Sequence, residues 1–388
     1  MKISIFNYTP FNALDGNNSV EFYLADALNK KHQINFVCSN KIVAIESKKK
    51  FPHSRIKHLK MNLNRLSLAK YINFARFSYK ASKCVNKNTE VVFGQHLCSA
   101  LAACLSKGKF KVGGIDDFWS EYWRYNHKGV LGEIGYKAIR RVENFVIKKL
   151  DLVFTTTLTQ KIELVKRGVK KCVVVGVGAN LEKFKPLKKE NLKLKKQFGF
   201  KKEDNVICYL GAIKKHDGLE YLLRFKRNFL EKNRIKFLII GDGPYLNHLK
   251  KEINNKGLRE YFRFSGWVEQ KIVPSLMTMC KFNIIPLPKT KSTKGVLPYK
   301  LFEAMAMGIP SIVTSLPGIR EFVHDNKEII FFDPNKIHLL ENELTKALAD
   351  KKRYQKMKEN GLKTVKNHNW KDYGERLAKI IEGETKRW

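Results

Sequence analysis

The chain has 388 residues, more than one hydrophobic core usually serves, so its length predicts two domains. Hydrophobic residues make up 43% of it and aromatic residues 11%, which excludes a disordered chain. The formal net charge is +39, from 75 Lys and Arg against 36 Asp and Glu. This excess favours an anionic partner, namely a membrane surface, nucleic acid or a phosphorylated ligand. A general use of lysine as the surface residue explains it equally well.

Cysteine usage and hydropathy narrow the class of protein further. The seven cysteines are an odd number without CxxC spacing, which excludes a disulfide framework and a zinc site and fits a reducing compartment. No apolar run approaches the roughly 20 residues that span a bilayer. The first residues enter a short strand and do not resemble a signal peptide. We therefore expect a cytoplasmic protein.

Short apolar runs alternate with amphipathic stretches along the first half of the chain. A loop containing Gly16 precedes a helix predicted over Ser19–Asn29. The predicted strands are 2–7, 34–38, 90–93, 111–115, 152–156 and 172–175. Strands separated by helices indicate parallel β-α units.

The same pattern restarts in the second half. The predicted strands are 206–210, 236–240, 262–264, 282–285, 311–314 and 329–332. The first two run into Gly211 and Gly241, and helices are predicted to follow at 218–231 and 245–255. The lysine-rich segment 185–202 is the predicted linker.

These patterns predict an α/β fold of two Rossmann-like, doubly wound domains that face a cleft. We expect an acceptor-binding domain over 1–186 and a nucleotide-sugar-binding domain over 187–365. A last helix within 366–388 is expected to pack back on the first domain.

The segment 298–310 carries the strongest chemical signal. Helical periodicity begins near Tyr299 and stops at Gly308, and Lys300 and Glu303 share one helix face. At the end of a strand, lysine can neutralise phosphate and a carboxylate can accept hydrogen bonds from ribose hydroxyls. The alternative is an ordinary Lys–Glu pair on the surface of an amphipathic helix.

This segment, with Gly318 and Glu321 after it, resembles the signature of glycosyltransferase family 4, roughly P-x-K-x-x-E-A-M-A-x-G-x-P-V-I and then G-x-x-E. Other segments resemble family landmarks in the right order: Gly16, Glu143 with 150–153, 178–184, 209–211, 240–244 and 264–268. The resemblance implies the GT-B fold, a retaining transfer from a UDP- or GDP-linked sugar, and no required metal or other cofactor.

The resemblance also implies a set of donor-binding positions. Most of them lie in the second half of the chain. They are Gly16, Gly211, Lys214, Lys215, Gly241, Trp267, Val268, Lys300, Leu301 and Glu303.

Three departures from the family pattern concern the chemistry. Gly295 stands where many members carry a first glutamate, and Ala212 and Asp217 stand where Arg and Lys are common. Lys214 and Lys215 lie between them and can supply the missing charge. The histidine of many members is replaced by a stretch that resembles a D-x-W variant, at Asp116 and Asp117.

Asp116 and Asp117 are therefore the candidate catalytic residues, since a carboxylate there can orient the acceptor hydroxyl or take its proton. The alternative is that Asp116 caps a helix beginning at Phe118. A metal-binding interpretation is weaker, because no third oxygen ligand is near in sequence. His96 also follows a strand, and a capping or buried structural role is favoured for it.

Two basic segments of the first half favour an anionic membrane surface. Between Glu46 and Glu90 there is no acidic residue, and Leu68, Ile72, Ala75 and Tyr79 repeat there at helical spacing. A second cluster, at 119–141, mixes tryptophan and tyrosine with lysine and arginine. Such segments suit a bilayer interface. The alternative is that the apolar stripe is the buried face of a helix and the cations are merely solvated.

The main hypothesis is a retaining glycosyltransferase, peripheral on the cytoplasmic face of the membrane. Its acceptor would be a lipid, a lipid-linked sugar or a glycan in cell-envelope or glycoconjugate synthesis. One alternative is a GT-B nucleotide-binding protein that has lost catalysis, which the three departures permit. The other is a basic nucleic-acid-binding protein, although no RRM, KH, zinc-finger or helix-turn-helix signature is present.

Overall fold

The computed structural model describes residues 1–8, 19–61, 67–186 and 191–387. The side chains of Ser19 and of residues 67–71 also lie outside this description. Two residues named in the sequence analysis are therefore not described: Gly16, and Leu68 in its side chain. The chain divides into two compact units. Unit 1 is Met1–Val177 together with Trp370–Trp388, and unit 2 is Gly178–Asn369.

The boundary between the units therefore precedes the predicted linker. The segment after it belongs to unit 2, where the Ala179 N–H donates to the carbonyl oxygen of His368 at 2.8 Å and Phe184 is buried. Within the predicted linker, residues 192–197 form a short helix. The last helix returns to unit 1 and packs on the first helix of the chain, where Trp370 stacks on Tyr23.

Unit 1 is built on a seven-stranded parallel sheet in the order β3-β2-β1-β4-β5-β6-β7. The strands are β1 Lys2–Asn7, β2 Gln33–Cys38, β3 Arg55–His58, β4 Val91–Gln95, β5 Phe110–Gly114, β6 Leu152–Thr155 and β7 Cys172–Val174. The helices are α1 Ser19–Asn29, α2 Lys41–Lys50, α3 Ser67–Ser82, α4 His96–Leu105, α5 Trp119–Asn126, α6 Gly129–Lys149, α7 Leu158–Lys166 and, at the end of the chain, α16 Trp370–Arg387.

Unit 2 is built on a six-stranded parallel sheet in the order β10-β9-β8-β11-β12-β13. Its strands are β8 Asn205–Leu210, β9 Ile235–Ile240, β10 Phe262–Gly266, β11 Phe282–Ile285, β12 Ser311–Thr314 and β13 Ile329–Phe332. Its helices are α8 Leu192–Gln197, α9 Arg227–Lys232, α10 Leu246–Asn255, α11 Val273–Met277, α12 Tyr299–Ala306, α13 Pro317–Arg320, α14 Ile337–Ala349 and α15 Lys351–Val365.

The strand order reverses direction between β1 and β4 in unit 1 and between β8 and β11 in unit 2. In doubly wound sheets the carboxyl ends of the strands at this point are where ligands bind. Each predicted strand is present within two residues of its predicted limits, because aliphatic runs buried on both faces leave a clear pattern. The core of unit 2 packs Phe237 and Ile239 of β9 against Phe282 of β11.

Two elements differ from the prediction. Strand β3 was not predicted, because its four residues, Arg-Ile-Lys-His, form a half-exposed edge strand without an apolar run. The single helix predicted over 218–231 is wrong. The chain there forms a 3₁₀ helix, Leu219–Arg224, and then the short α9, with two extended residues, Phe225 and Lys226, between them.

Helix α3 presents its apolar stripe to solvent. Ile72, Ala75 and Tyr79 are exposed, whereas Phe77 is buried in a cluster with sheet residues and Ser78 is buried against α4. The alternative in which the stripe is the buried face is therefore wrong for these three residues. The second cluster behaves differently, because Trp119, Tyr122, Trp123 and Tyr125 are all half-buried.

Candidate functional site

Two neighbouring strands of unit 2 end in glycines whose backbones lie against each other. Gly211 follows β8 with a φ of 132°, and Gly241 follows β9 with a φ of 139°. A Cβ atom on Gly241 would lie 2.0 Å from the carbonyl oxygen of Gly211, so no larger residue fits there. The carboxyl ends of both strands thus carry a bare backbone that a ligand can approach closely.

Helix α12 places Lys300 beside this glycine pair. Its Nζ atom lies 4.1 Å from the centre of the buried Tyr209 ring. A Cβ atom on Gly211 would come within 2.8 Å of the same Nζ. Burial lowers the pKa of Lys300, Asp217 and Glu303 oppose this shift, and the nearby cation of Lys214 adds to it. The lysine is therefore a partly desolvated cation at the carboxyl end of β8.

Glu303 lies one helical turn after Lys300 and is 9% exposed. Burial raises the pKa of its carboxyl to about 7, although Lys300 and Lys183 both oppose the rise. An ordinary surface Lys–Glu pair would be exposed and unperturbed, so that alternative is wrong for this pair. A buried, titratable carboxylate between two cations is typical of a functional site.

The third cation of the cluster, Lys183, was not assigned from the sequence. Burial lowers its pKa, Glu303 raises it, and its Nζ donates to the side-chain oxygen of Gln270 at 2.7 Å. Asn180 fixes the turn before it, because its Oδ1 accepts the N–H of Lys183 at 3.0 Å. The signal was present, since Lys183 belongs to the family-like segment 178–184.

The loop after β8 separates the two candidate lysines. Lys214 is half-buried and close enough to affect the pKa of Lys300. Lys215 is exposed and begins a three-residue 3₁₀ helix. Asp217, where the family often has lysine, accepts the N–H of Lys214 at 3.0 Å and so caps that helix. Of the two lysines, the structure brings only Lys214 to the cluster.

The other predicted donor-binding residues fall into two groups. Trp267 follows β10, is 60% exposed and lies next to Gly266, whose carbonyl accepts the Gly241 N–H at 3.1 Å. Val268 beside it is half-buried. Leu301, in contrast, is fully buried, and its N–H donates to the Pro298 carbonyl at 3.1 Å. Its side chain packs α12 into the core and offers nothing to a ligand.

In unit 1, Asp116 lies at the end of β5 and is held by the preceding strand. Gln95, at the end of β4, donates its Nε2 to Asp116 Oδ2 at 2.5 Å. This contact requires a glycine at the end of β5, because a Cβ on Gly114 would lie 1.7 Å from Gln95 Oε1. Asp116 is half-buried and does not cap α5, whose N-cap is Phe118. The capping alternative is therefore wrong.

A buried acid that the sequence did not identify lies near Asp116. Glu21 is 2% exposed and accepts a hydrogen bond from Asn7 Nδ2 at 3.1 Å. Burial raises its pKa to about 7, His96 opposes the rise, and Asp116 adds to it. His96 adopts a φ of 61°, which costs on the order of 1–3 kcal/mol for a residue other than glycine. Strained residues of this kind cluster at functional sites.

A buried ion-pair network supports the chain after Asp116. Glu143 accepts the Ser120 N–H at 2.8 Å and so caps α5 from another helix. Arg167, whose side chain is 4% exposed, pairs with Glu143 at 3.2 Å and lies 3.4 Å above the Phe118 ring. Burial is the main cause of the raised pKa of Glu143 and Asp117 adds to the rise, so Asp117 also lies close to this network. Within the described parts of the chain, no group of three or more His, Cys, Asp or Glu is arranged to hold a metal ion.

The whole chain resembles solved glycosyltransferase structures. Sucrose-phosphate synthase from Thermosynechococcus elongatus superposes with a TM-score of 0.78 at 15% identity, covering 99% of this chain and 100% of that one. Anabaena Alr3699/HepE in complex with UDP gives a TM-score of 0.71 at 15% identity, with 99% and 100% covered. At such identity the likeness shows the fold alone, which is the GT-B fold. The predicted fold class is confirmed.

A protein-family model matches the second half of the chain. Residues 190–364 match the family model described as Glycosyl transferases group 1. The resemblance drawn from 298–310 is confirmed there.

Curated relatives match over part of their length. The alpha-monoglucosyldiacylglycerol synthase of Streptococcus pneumoniae is 28% identical over 229 residues, 56% of this chain and 49% of that protein. The UDP-Gal:alpha-D-GlcNAc-diphosphoundecaprenol alpha-1,3-galactosyltransferase of Escherichia coli is 26% identical over 186 residues, 47% of this chain and 46% of that protein. The matches to these proteins thus span about half of their length.

Proposed function

We propose that the protein is a retaining family 4 glycosyltransferase that moves a sugar from a UDP- or GDP-linked donor to a lipid, lipid-linked or glycan acceptor. The observation that carries the proposal is the buried cluster of Lys183, Lys300 and Glu303 in the segment of unit 2 that resembles such enzymes. In this proposal the enzyme acts in cell-envelope or glycoconjugate synthesis at the cytoplasmic face of the membrane. Nucleic acid is not one of its partners.

The donor roles follow from the charges. Lys300 and Lys214 neutralise the diphosphate, whose negative charge grows as the bond to the sugar breaks. Glu303 accepts hydrogen bonds from the ribose hydroxyls, and Gly211 and Gly241 let the nucleotide approach the backbone. The exposed ring of Trp267 stacks on the base. These side chains supply positive charge at the leaving group, so the proposal includes no metal.

The acceptor role is assigned to unit 1. Asp116, oriented by Gln95, positions the acceptor hydroxyl or accepts its proton. Asp117 is the second candidate, held beside the Glu143 network. A lipid or lipid-linked acceptor is supported by two relatives whose names specify diacylglycerol and diphosphoundecaprenol products or substrates.

A nucleotide panel read by thermal shift tests donor binding. UDP, GDP, ADP and CDP are each added to the full chain and to the Glu303→Gln variant. A ligand present at about 100 times its dissociation constant stabilises the folded state by about 2.7 kcal/mol. We expect UDP or GDP to stabilise the parent and to stabilise the variant less. If none of the four has an effect, the proposal is wrong.

Glu341→Gln is the matched control, because Glu341 is also buried in unit 2 but accepts the Lys226 N–H at 2.7 Å, away from the cluster. Its nucleotide response should equal that of the parent. With the donor that fits the bound nucleotide, transfer or slow hydrolysis of the sugar should survive EDTA. Loss on chelation with recovery in Mg²⁺ would assign the aspartate pair to a metal. Binding without any turnover would favour the lapsed alternative.

A further inference from the structure

Helix α6 of unit 1 has an outer face that does not suit water. Its exposed large apolar side chains are Val130, Leu131, Ile134, Val142 and Phe145, of which Leu131 is 82% exposed. Helical spacing puts 131, 134, 138, 142 and 145 on one stripe. A helix at the surface of a domain normally packs such a stripe against the core. Helix α6 is 21 residues long and instead exposes this apolar face.

Cations border the stripe and acids do not. Lys137, Arg141, Lys148 and Lys149 are exposed on α6, and none of its exposed residues is acidic. Of its two glutamates, Glu133 pairs with Arg124 at 3.3 Å and Glu143 is buried. An apolar stripe flanked by cations is the composition of a helix that lies in the plane of an anionic bilayer surface.

Neighbouring helices extend the same surface. Right-handed crossovers put α3, α4, α6 and α7 on one side of the unit 1 sheet, and α4 packs against both α3 and α6. Ile72 and Tyr79 of α3 and Ile162 of α7 are each about half exposed. More than half of the exposed large hydrophobic side chains in the described residues belong to these four helices.

We propose that this helix layer of unit 1, with α6 at its centre, docks on an anionic lipid bilayer with the 131–145 stripe in the headgroup region. A second copy of the chain is the poorer occupant, because two faces of like charge would meet in a molecule with a net charge of +39. The inference deepens the proposed function and rests on it only for the identity of the acceptor. The membrane contact is thereby assigned to α6, and no longer to the half-buried aromatic residues of α5.

Vesicle flotation measures the docking. The full chain is mixed with vesicles of phosphatidylglycerol and phosphatidylcholine or of phosphatidylcholine alone, at low and at high salt. We expect binding to the anionic vesicles that weakens as salt rises, since screening shortens to roughly 3 Å at 1 M. Leu131→Ser with Ile134→Ser should lower the partition coefficient about a hundredfold, because burial of each side chain contributes roughly a factor of ten.

Two matched controls lie in unit 2. Leu339→Ser removes a side chain 53% exposed on α14 and should leave the partition unchanged. The cations are tested in the same way. Lys137→Gln with Arg141→Gln should lower the partition coefficient about thirtyfold, which corresponds to about 1 kcal/mol for each cation. The control for this pair is Lys352→Gln with Lys356→Gln, because both lysines are also exposed and lie four residues apart on α15. This control should lower the partition coefficient far less.

A label reports insertion directly. Bimane on a Leu131→Cys variant should shift to the blue on anionic vesicles, and on a Leu339→Cys variant it should not. The natural cysteines interfere little, because six are buried and Cys84 is half-buried.

Three results would overturn the inference: no binding of the parent to anionic vesicles, parent-like binding by the Leu131→Ser, Ile134→Ser variant, or a dimer in solution that this variant abolishes. Nucleotide binding by the same variants separates the two proposals. Docking that fails while UDP or GDP still binds removes only this inference, and vesicle binding without any nucleotide binding removes only the donor assignment.

Discussion

Lys300 holds its ammonium group 4.1 Å from the ring centre of Tyr209, above the carboxyl end of β8. The aromatic face attracts the cation, but burial still lowers its pKa. The folded protein therefore keeps a charge where the charge is costly. Such a cost is typical of a side chain retained for a ligand.

Lys300→Met should separate binding from stability. It should weaken binding of the nucleoside diphosphate about tenfold to a hundredfold, since a charge-assisted contact contributes about 1.5–3 kcal/mol. The free energy of unfolding should change little, because the variant no longer buries a cation but also loses the attraction of that cation to Asp217 and Glu303. Calorimetry with the diphosphate and urea unfolding measure the two quantities. A large loss of stability would show that the lysine is structural.

Nucleoside affinity should depend on the ionisation of Glu303. Its pKa of about 7 means that the carboxylate, which accepts the ribose hydroxyls, forms as pH rises through that value. Uridine or guanosine should bind about tenfold more tightly at pH 8 than at pH 6. The free nucleoside is used because it has no phosphate that titrates in this range. Glu303→Gln should bind weakly with a flat pH profile, and a parental profile in the variant would contradict the assignment.

The same raised pKa predicts a stability change of fixed sign. Between the unfolded pKa of 4.5 and about 7 the folded state binds the proton more tightly, so this contribution is complete below pH 4.5 and is lost as pH rises through 7. Its size is on the order of 3 kcal/mol. Glu21 titrates in the same range, so the Glu303 part is the difference between parent and Glu303→Gln unfolding curves. A constant difference from pH 4 to pH 8 would refute the buried-carboxyl interpretation.

Lys214 and Lys215 provide a comparison between neighbours. Lys214→Ala should weaken diphosphate binding about tenfold and leave nucleoside binding unchanged, because its charge lies by Lys300. Lys215→Ala should change diphosphate binding less than about twofold, since an exposed charge is screened by water and salt. Calorimetry with both ligands decides, and equal effects of the two substitutions would place both lysines outside the diphosphate site.

Arg167 should be one of the most sensitive positions in unit 1. Arg167→Leu removes a buried guanidinium and leaves the Glu143 carboxylate without its partner, which should cost about 3–5 kcal/mol in the free energy of unfolding. Arg227→Leu is the control, because its pair with Glu260 is exposed to solvent and its loss should change the free energy of unfolding far less. Urea unfolding compares the two. If the Arg167 variant keeps parental stability, the network does not support the loop that carries Asp116.

The signals that the sequence carries are local. Strands β8 and β9 were predictable as consecutive aliphatic runs, and helix α12 was predictable from its period of 3.6 residues. Lys300 and Glu303 were predictable for the same reason, since three residues of helix are enough to put them on one face. The glycines at 211 and 241 were marked by their place at strand ends.

Contacts between distant segments needed the tertiary structure. Lys183 reaches Glu303 only because the turn fixed by Asn180 lies beside α12 in unit 2. Glu21 became a buried acid near Asp116 because β1 and β5 both flank β4 in the sheet. No spacing along the chain encodes either contact.

The direction of an amphipathic face was also decided by the fold. The sequence by itself determined that α3 carries an apolar stripe among cations, because side-chain periodicity is a local property. It did not determine which side meets the sheet. In the structure Phe77 of α3 packs toward the sheet and Ser78 toward α4, so Ile72 and Tyr79 face outward. Burial depends on what packs above a side chain, and that is a property of the assembled sheet and helices.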